Sequence, residues 1–142
     1  MNTKTLHCGE LIKRISDIIE KNANNELNKE DITVSQLKML FVLTETPDGS
    51  ATLKELEKYF GVAQSTVAGI VSRLEKKQLV SAYTDPTDKR IKHIRIADEG
   101  KAVCGRAKKS MEKNEENMLG VLTDEERHRL RELLQKMYIS IK

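Results

Sequence analysis

Apolar residues recur every three or four positions in several segments of the chain, which is the spacing of amphipathic helices. The first such stripe spans Leu11 to Ile19, and its helix is expected to fade in the polar stretch from Asn22 to Asn28. The last stripe spans Leu130 to Ile141, and a long helix is expected from Asp98 to Leu119. The pattern therefore predicts a mainly α-helical protein.

Threonines mark the starts of three helices. Each is followed three residues later by Glu or Gln, the capping box in which two side chains bond free backbone amides of the first turn. The pairs are Thr33 with Gln36, Thr52 with Glu55, and Thr123 with Glu126. Turn residues 47–49 close the first of these helices, and Gly61 stops the second.

A further helix follows Gly61 across a tight turn, which makes a helix-turn-helix. Its apolar stripe comprises Val67, Ile70, Val71 and Leu74. Gln64, Ser65 and Thr66 lie off this stripe at the N-terminal end, with Arg73 on the exposed side farther along. Small hydrogen-bonding side chains in this place are of the kind that read base edges in the major groove. The alternative is that Ser65 and Thr66 only bond free amides of the first turn.

Residues 79–96 alternate like a β-hairpin rather than a further helix. The arms are Leu79 to Thr84 and Ile91 to Ile96. The segment Asp85 to Asp88 between them has turn chemistry, because its proline presets φ and its aspartates can bond backbone amides. Lys89 and Arg90 lie at the tip. A basic hairpin beside a helix-turn-helix makes a winged helix, whose tip arginine can enter an adjacent minor groove.

Charge agrees with this interpretation. The chain of 142 residues has a net charge of +3, but residues 62–95 hold seven basic and three acidic groups and so contain all of the excess. That is the footprint of a nucleic-acid contact, although an excess of this size is by itself more often an ordinary solvated surface.

Length and composition predict one domain, residues 1–142, in the cytoplasm. No apolar run approaches the roughly 18 residues of a membrane span. The first twelve residues lack the features of a secretory signal. The two cysteines, Cys8 and Cys104, are too few for a disulfide framework, so a reducing compartment is expected.

These segments together resemble the MarR family of bacterial transcriptional regulators. The resemblance is carried by Asp85–Arg90, Ile94–Gly100, Gln64–Val67 and Val71–Val80. It implies a winged helix-turn-helix at residues 33–96, with dimerisation helices at 1–32 and 97–142. It also implies that Asp88 orients Arg90 in the minor groove. With the exposed basic residues, the expected DNA-binding set is Gln64, Ser65, Thr66, Arg73, Asp88, Lys89, Arg90 and Lys92.

Several positions depart from the family's common pattern. Ala63 stands where a capping Ser or Asp is usual, and Gln78 stands where Gly usually follows the recognition helix. Gly69, Ala82 and Thr87 stand where basic residues are frequent. We therefore expect fewer phosphate contacts and weaker non-specific binding than in a richly basic relative.

The resemblance implies a homodimer, because the first and last helices of this family interlock between two subunits. The expected function is a sequence-specific transcriptional regulator that binds an inverted-repeat operator in double-stranded DNA. A repressor is preferred, and an activator is the alternative. This interpretation includes release of the DNA by a small-molecule effector of unidentified chemistry. A monomer that folds its own ends together is the alternative assembly, and a winged helix for protein association without DNA is an alternative function.

No catalytic site, metal or cofactor is expected. Glu125 and His128 have the spacing of a metal-binding helix, but such sites need a second copy of the motif. A redox-sensing regulator acting through Cys8 is a further alternative, since some relatives in this family sense oxidants through a cysteine in this region. No tyrosine lies in residues 1–58 to hold an oxidised sulfur, so an idle thiol is the default for Cys8 and packing for Cys104.

Overall fold

Six α-helices, three short strands and a single 3-10 turn at Thr3–Thr5 make up the computed structural model, which describes residues 2–142. The helices are α1 (Cys8–Lys29), α2 (Val34–Thr44), α3 (Leu53–Phe60), α4 (Gln64–Lys76), α5 (Asp98–Leu119) and α6 (Asp124–Ile141). The strands are β1 (Ser50–Thr52), β2 (Val80–Thr84) and β3 (Lys92–Ile96). The mainly α fold with a small β-wing is confirmed. None of the helices formed by these residues is long and apolar enough to cross a membrane.

All three predicted capping boxes are present. At the start of α2, Gln36 N donates to Thr33 Oγ1 at 3.2 Å, and Thr33 N donates to Gln36 Oε1 at 3.4 Å. Equivalent pairs start α3 at Thr52 and α6 at Thr123. The predicted stop of α3 is also confirmed, because Gly61 follows it with a left-handed φ of 62° that a residue without Cβ adopts at little cost.

The first helix does not fade between Asn22 and Asn28, so that prediction is wrong. α1 continues to Lys29, with its asparagines exposed and Leu27 buried in the core. It ends where Asp31 takes a left-handed φ of 53° and Ile32 N donates to the carbonyl of Leu27 at 3.1 Å. The last turns are stabilised by tertiary packing of one leucine, which outweighs the weak helix propensity of asparagine.

The chain divides into two compact units, one ending at Lys108 and one covering Lys109–Lys142. The core of the first unit is formed by α2, α3, α4 and the sheet, together with Leu27 of α1 and Val103 and Cys104 of α5. Its largest fully buried side chains are Met39, Leu40, Leu43, Leu56, Val67, Leu74 and Ile94. The apolar stripe predicted for the second helix of the helix-turn-helix is thus the buried face of α4.

The wing strand β3 is the centre of an antiparallel sheet in the order β1-β3-β2. Ala51 and Ala82 pair with Ile94 from either side, and Ile94 is fully buried. The hairpin forms as predicted, although each arm begins one residue later than expected. The pairing with β1 was not predicted. It adds a main-chain connection between the wing and the segment that leads into α3.

The start of α5 packs directly against backbone at the beginning of the wing. Gly100 is buried, and a Cβ at this position would overlap the carbonyl oxygen of Leu79. Ala97 N also donates to that oxygen, at 2.9 Å. Only glycine permits this close approach, so main-chain contact fixes the start of α5 against the wing.

The second unit consists of the end of α5 and all of α6. Arg127 joins the two helices, because its Nε donates to the carbonyl of Leu119 at 3.1 Å and its Nη1 lies 3.3 Å from Glu116. No described residue of α6 is buried. Its apolar stripe of Leu130, Leu133, Leu134, Met137 and Ile141 is 37–80% exposed. In the first unit, the stripe of α1 from Leu11 to Ile19 is likewise exposed.

Candidate nucleic-acid interface

The first turn of α4 presents three polar side chains to solvent. Gln64, Ser65 and Thr66 are exposed, whereas the next residue, Val67, is fully buried. Ala63 precedes the helix and supplies no side-chain cap, and among residues 2–142 neither hydroxyl makes a hydrogen bond. The alternative in which Ser65 and Thr66 serve only to bond first-turn amides therefore has no hydrogen bond in its support among these residues. The turn keeps free donors and acceptors, as a surface that reads base edges requires.

The other end of α4 is held against the start of α2. Arg73 lies exposed on α4, as predicted. Lys77 follows the helix, and its Nζ donates to Gln36 Oε1 at 3.0 Å and to the carbonyl oxygen of Asp31. Gln78 then takes a left-handed φ of 61°. The usual glycine is absent at this exit, but the left-handed turn that glycine favours is kept.

The turn of the wing is built around the carboxylate of Asp85. Its Oδ2 accepts hydrogen bonds from Thr87 N at 3.0 Å, Thr87 Oγ1 at 2.7 Å and Asp88 N at 3.0 Å. The hydroxyl of Thr87 and the ring of His93 hold the pKa of Asp85 well below its usual range. The carboxylate is therefore ionised at neutral pH and acts only as an acceptor. The predicted turn chemistry is confirmed.

Arg90 at the tip is clamped by Asp88. Arg90 Nε donates to Asp88 Oδ1 and Arg90 Nη2 to Asp88 Oδ2, each at 3.1 Å, while the backbone amide of Arg90 donates to Oδ1 at 3.0 Å. The guanidinium lowers the pKa of Asp88 and the carboxylate raises that of Arg90. The Arg90 side chain is 90% exposed, and a solvated pair of this kind adds little to stability. Its consequence is orientation, because the two parallel bonds fix the plane of the guanidinium.

A cleft of about 390 Å³ separates the wing from the helix-turn-helix. It is lined by Thr52, Leu53, Lys54, Glu57, Gln64, Arg90, Ile91 and Lys92. Gln64, Arg90 and Lys92 from the predicted set therefore meet around one depression, with three cationic groups and one carboxylate on its walls. An anionic chain fits this depression better than a neutral one.

The other predicted residues lie outside this cleft. Ser65, Thr66 and Arg73 lie exposed along α4, and Lys89 lies exposed in the turn. Lys54 was missed by sequence reasoning. It occupies the second position of α3, where a lysine has no sequence signal of its own, and only the pairing of β1 with the wing brings it to the cleft.

The histidine of the weak metal motif on the last helix pairs with a different carboxylate. His128 Nε2 lies 3.0 Å from Glu132 Oε1, one turn farther along α6, rather than against Glu125. Within residues 2–142, no three His, Cys, Asp or Glu side chains are grouped as a metal site requires.

Comparison with known proteins agrees with this geometry. The MarR family model matches residues 32–92. The chain is 30% identical over 115 residues to the HTH-type transcriptional regulator YsmB of Bacillus subtilis strain 168, an alignment that covers 81% of this chain and 77% of YsmB. Both comparisons include the helix-turn-helix and most of the wing.

Solved structures extend the similarity to almost the whole chain. A mutant of S. aureus MepR has a TM-score of 0.87 and 25% identity, over 96% of this chain and 100% of that one. The S. aureus MepR–DNA complex has a TM-score of 0.81 and 25% identity, over 94% of this chain and 99% of the other. This chain belongs to the MarR family of winged-helix transcriptional regulators, which bind DNA and are not enzymes.

Proposed function

We propose that two copies of this chain bind an inverted-repeat operator and repress transcription from it. The observation that carries the proposal is the pairing of two exposed reading elements in one unit. The free polar turn at Gln64–Thr66 lies across a basic cleft from Arg90, which Asp88 holds in a fixed orientation. A solved MepR complex with DNA supports the same use of this fold.

In this proposal α4 enters the major groove and the wing contacts the neighbouring minor groove. The side chains of Gln64, Ser65 and Thr66 would then meet base edges, with Arg73 and Lys89 reaching phosphates. Arg90 would lie where the minor groove concentrates negative potential. The strand between the two grooves would pass through the cleft, against Lys54 and Lys92.

The dimer is proposed from the exposed apolar stripes of α1 and α6. A monomer that leaves ten large apolar side chains in water forgoes their burial, worth about 1 kcal/mol or more for each half-exposed group. Residues 1–32 and 97–142 would form the dimer, and residues 33–96 would bind DNA. Because most homodimers have two-fold symmetry, the operator would be an inverted repeat.

Repression follows from occupancy, since a dimer seated over a promoter excludes polymerase from it. We further propose that a small-molecule effector releases the DNA by favouring a dimer geometry that no longer matches the half-sites. Such a regulator would act in the bacterial cytoplasm.

The direct test is a genomic footprint of the bound protein, together with selection from a random-sequence duplex pool. We expect both to give one inverted repeat with half-site centres about one helical turn, roughly 10 bp, apart. A selected sequence with no symmetry would contradict the proposal that a two-fold dimer binds the operator. Selection of no sequence at all would favour a winged helix used for protein association.

Alanine at Gln64, Ser65 or Thr66 should relax sequence preference. Each good bidentate base contact is worth about 1 to 3 kcal/mol of discrimination, so the ratio of operator to scrambled-duplex affinity should fall about fivefold or more. Affinity for the scrambled duplex should stay nearly constant. Ser35→Ala is the matched control, because Ser35 is an exposed serine in the first turn of α2. A triple variant that keeps full preference would remove α4 from base reading.

Replacing Cys8 by serine should leave DNA binding and any effector response nearly unchanged. Cys8 is exposed at the start of α1, whereas burial raises the pKa of Cys104 to about 11 and keeps that thiol protonated. The measurement is a DNA mobility shift before and after peroxide treatment. If wild type releases DNA on oxidation and Cys8→Ser does not, the redox alternative is correct.

A further inference from the structure

His93 lies on the solvent-side face of the wing sheet, between two neighbours in register. It pairs with Tyr83 of β2 on one side and with Thr52 of β1 on the other. Its ring stacks on Tyr83, with centroids 4.9 Å apart and planes inclined by 9°. Arg95 lies over the same tyrosine ring, 5.0 Å from its centroid, and donates to its hydroxyl at 3.3 Å. The imidazole therefore has a fixed plane.

The same imidazole reaches out of the sheet to the wing turn. His93 Nε2 lies 2.8 Å from Asp85 Oδ1, and both side chains are about four-fifths buried. Because the ionised carboxylate can only accept, Nε2 carries the proton and donates it to the bond. Asp85 thus uses one oxygen for the sheet and the other for the three hydrogen bonds that shape the turn.

A continuous series of hydrogen bonds leads from His93 to Arg90. His93 fixes the carboxylate of Asp85, Asp85 accepts from the backbone amide of Asp88, and the carboxylate of Asp88 clamps the guanidinium. The backbone bonds near this turn join Asp85 N to Ile91 O at 2.9 Å and Ile91 N to Asp88 O at 3.0 Å. These bonds close the loop, and the two carboxylates then orient its side chains.

Given the proposed role of Arg90 in DNA binding, on which this step rests, we propose that His93 is a positioning residue for the wing. It does not touch DNA in this proposal. It holds Asp85, and through Asp85 the turn that presents Arg90. An exposed arginine otherwise loses rotamer freedom when it binds, and holding it in place beforehand removes part of that cost.

Two substitutions separate the hydrogen bond from the ring. His93→Phe keeps an aromatic ring for stacking on Tyr83 but removes the donor to Asp85. His93→Gln places an amide donor near the position of Nε2 without the ring. Tyr83→Phe is the matched control, because it removes the hydroxyl bond to Arg95 and leaves the bond between His93 and Asp85 in place.

The experiment measures anisotropy of a fluorescent duplex recovered by in vitro selection with wild-type protein, beside a scrambled duplex. We expect His93→Phe to weaken binding to the selected duplex about threefold to tenfold, the range for ordering one flexible side chain on binding. His93→Gln and Tyr83→Phe should stay within about twofold of wild type. In an Arg90→Ala background, His93→Phe should have no further effect, because its action passes through Arg90.

The possible failures point to different steps. If wild type selects no sequence, the proposed function fails with the inference. If wild type selects a sequence but the His93→Phe loss persists undiminished in the Arg90→Ala background, His93 is merely structural and the inference is overturned. Full binding by His93→Phe overturns it as well. If His93→Phe does not fold, His93→Asn replaces it, because its shorter amide cannot reach Asp85 and should give the same loss.

Discussion

Arg90→Ala should weaken binding to operator and scrambled DNA alike, by about tenfold or more for the dimer. The side chain is exposed and already held in one plane by Asp88, so wild type spends little conformational entropy when it meets the minor groove. The minor groove displays a degenerate pattern of base edges, and an arginine there reads width and charge more than sequence. The loss should therefore be nearly independent of sequence, unlike that of the α4 variants.

Salt titrations identify the lost contact. Each phosphate neutralised by the protein contributes about 0.9 to the slope of log affinity against log salt, so Arg90→Ala should flatten the slope by about one unit for each subunit. Asp88→Ala should give part of the loss in affinity, because it frees the arginine without removing its charge. Lys38→Ala, an exposed charge on α2, is the control and should change neither quantity. Equal operator affinity for wild type and Arg90→Ala would refute the wing assignment.

Leu134→Asp should convert the dimer to a monomer at micromolar concentration and abolish tight operator binding. Leu134 lies in the middle of the exposed stripe of α6, and an unpaired carboxylate in an apolar interface costs several kcal/mol. Two linked reading units gain about 100-fold or more in avidity over one, and the monomer should lose that factor. Deletion of residues 124–142 should have the same effect.

The matched control for this variant is Gln135→Asp. It introduces the same charge at the next position, on the far side of α6 from the stripe, and should leave mass and affinity unchanged. Light scattering gives the mass, and anisotropy on the selected duplex gives the affinity. A full-length protein that is monomeric at micromolar concentration yet binds its operator tightly would refute the proposed assembly.

Much of the fold could be predicted because its decisive signals are local. A capping box acts within four residues, and the left-handed stop at Gly61 depends on the absence of one atom. The wing turn is equally local, since Asp85 bonds residues two and three positions ahead. The residues of α4 were predicted for the same reason, because a stripe at Val67, Val71 and Leu74 leaves Gln64–Thr66 free.

The features that could not be predicted from the sequence depend on contacts between distant segments. β1 has three residues, too few to show alternation, and becomes a strand only because β3 offers it an edge. The last turns of α1 depend on the burial of Leu27, which no polar stretch reveals. Neither Lys54 nor His93 is part of a recognisable sequence motif. They acquire a position in the site from the register of the sheet, and a one-residue slip would turn His93 to the core.

Thr52 has two roles whose combination limits how the wing can be exchanged between proteins. It is the last residue of β1, paired with His93 of the wing, and it is also the N-cap of α3. No linker separates these roles, so the wing and the first helix of the helix-turn-helix share one rigid joint. A chimera that transplants residues 79–96 alone would pair its central strand with a β1 from the recipient instead of its own. A functional transplant of the wing should therefore include residues 48–55 together with residues 79–96.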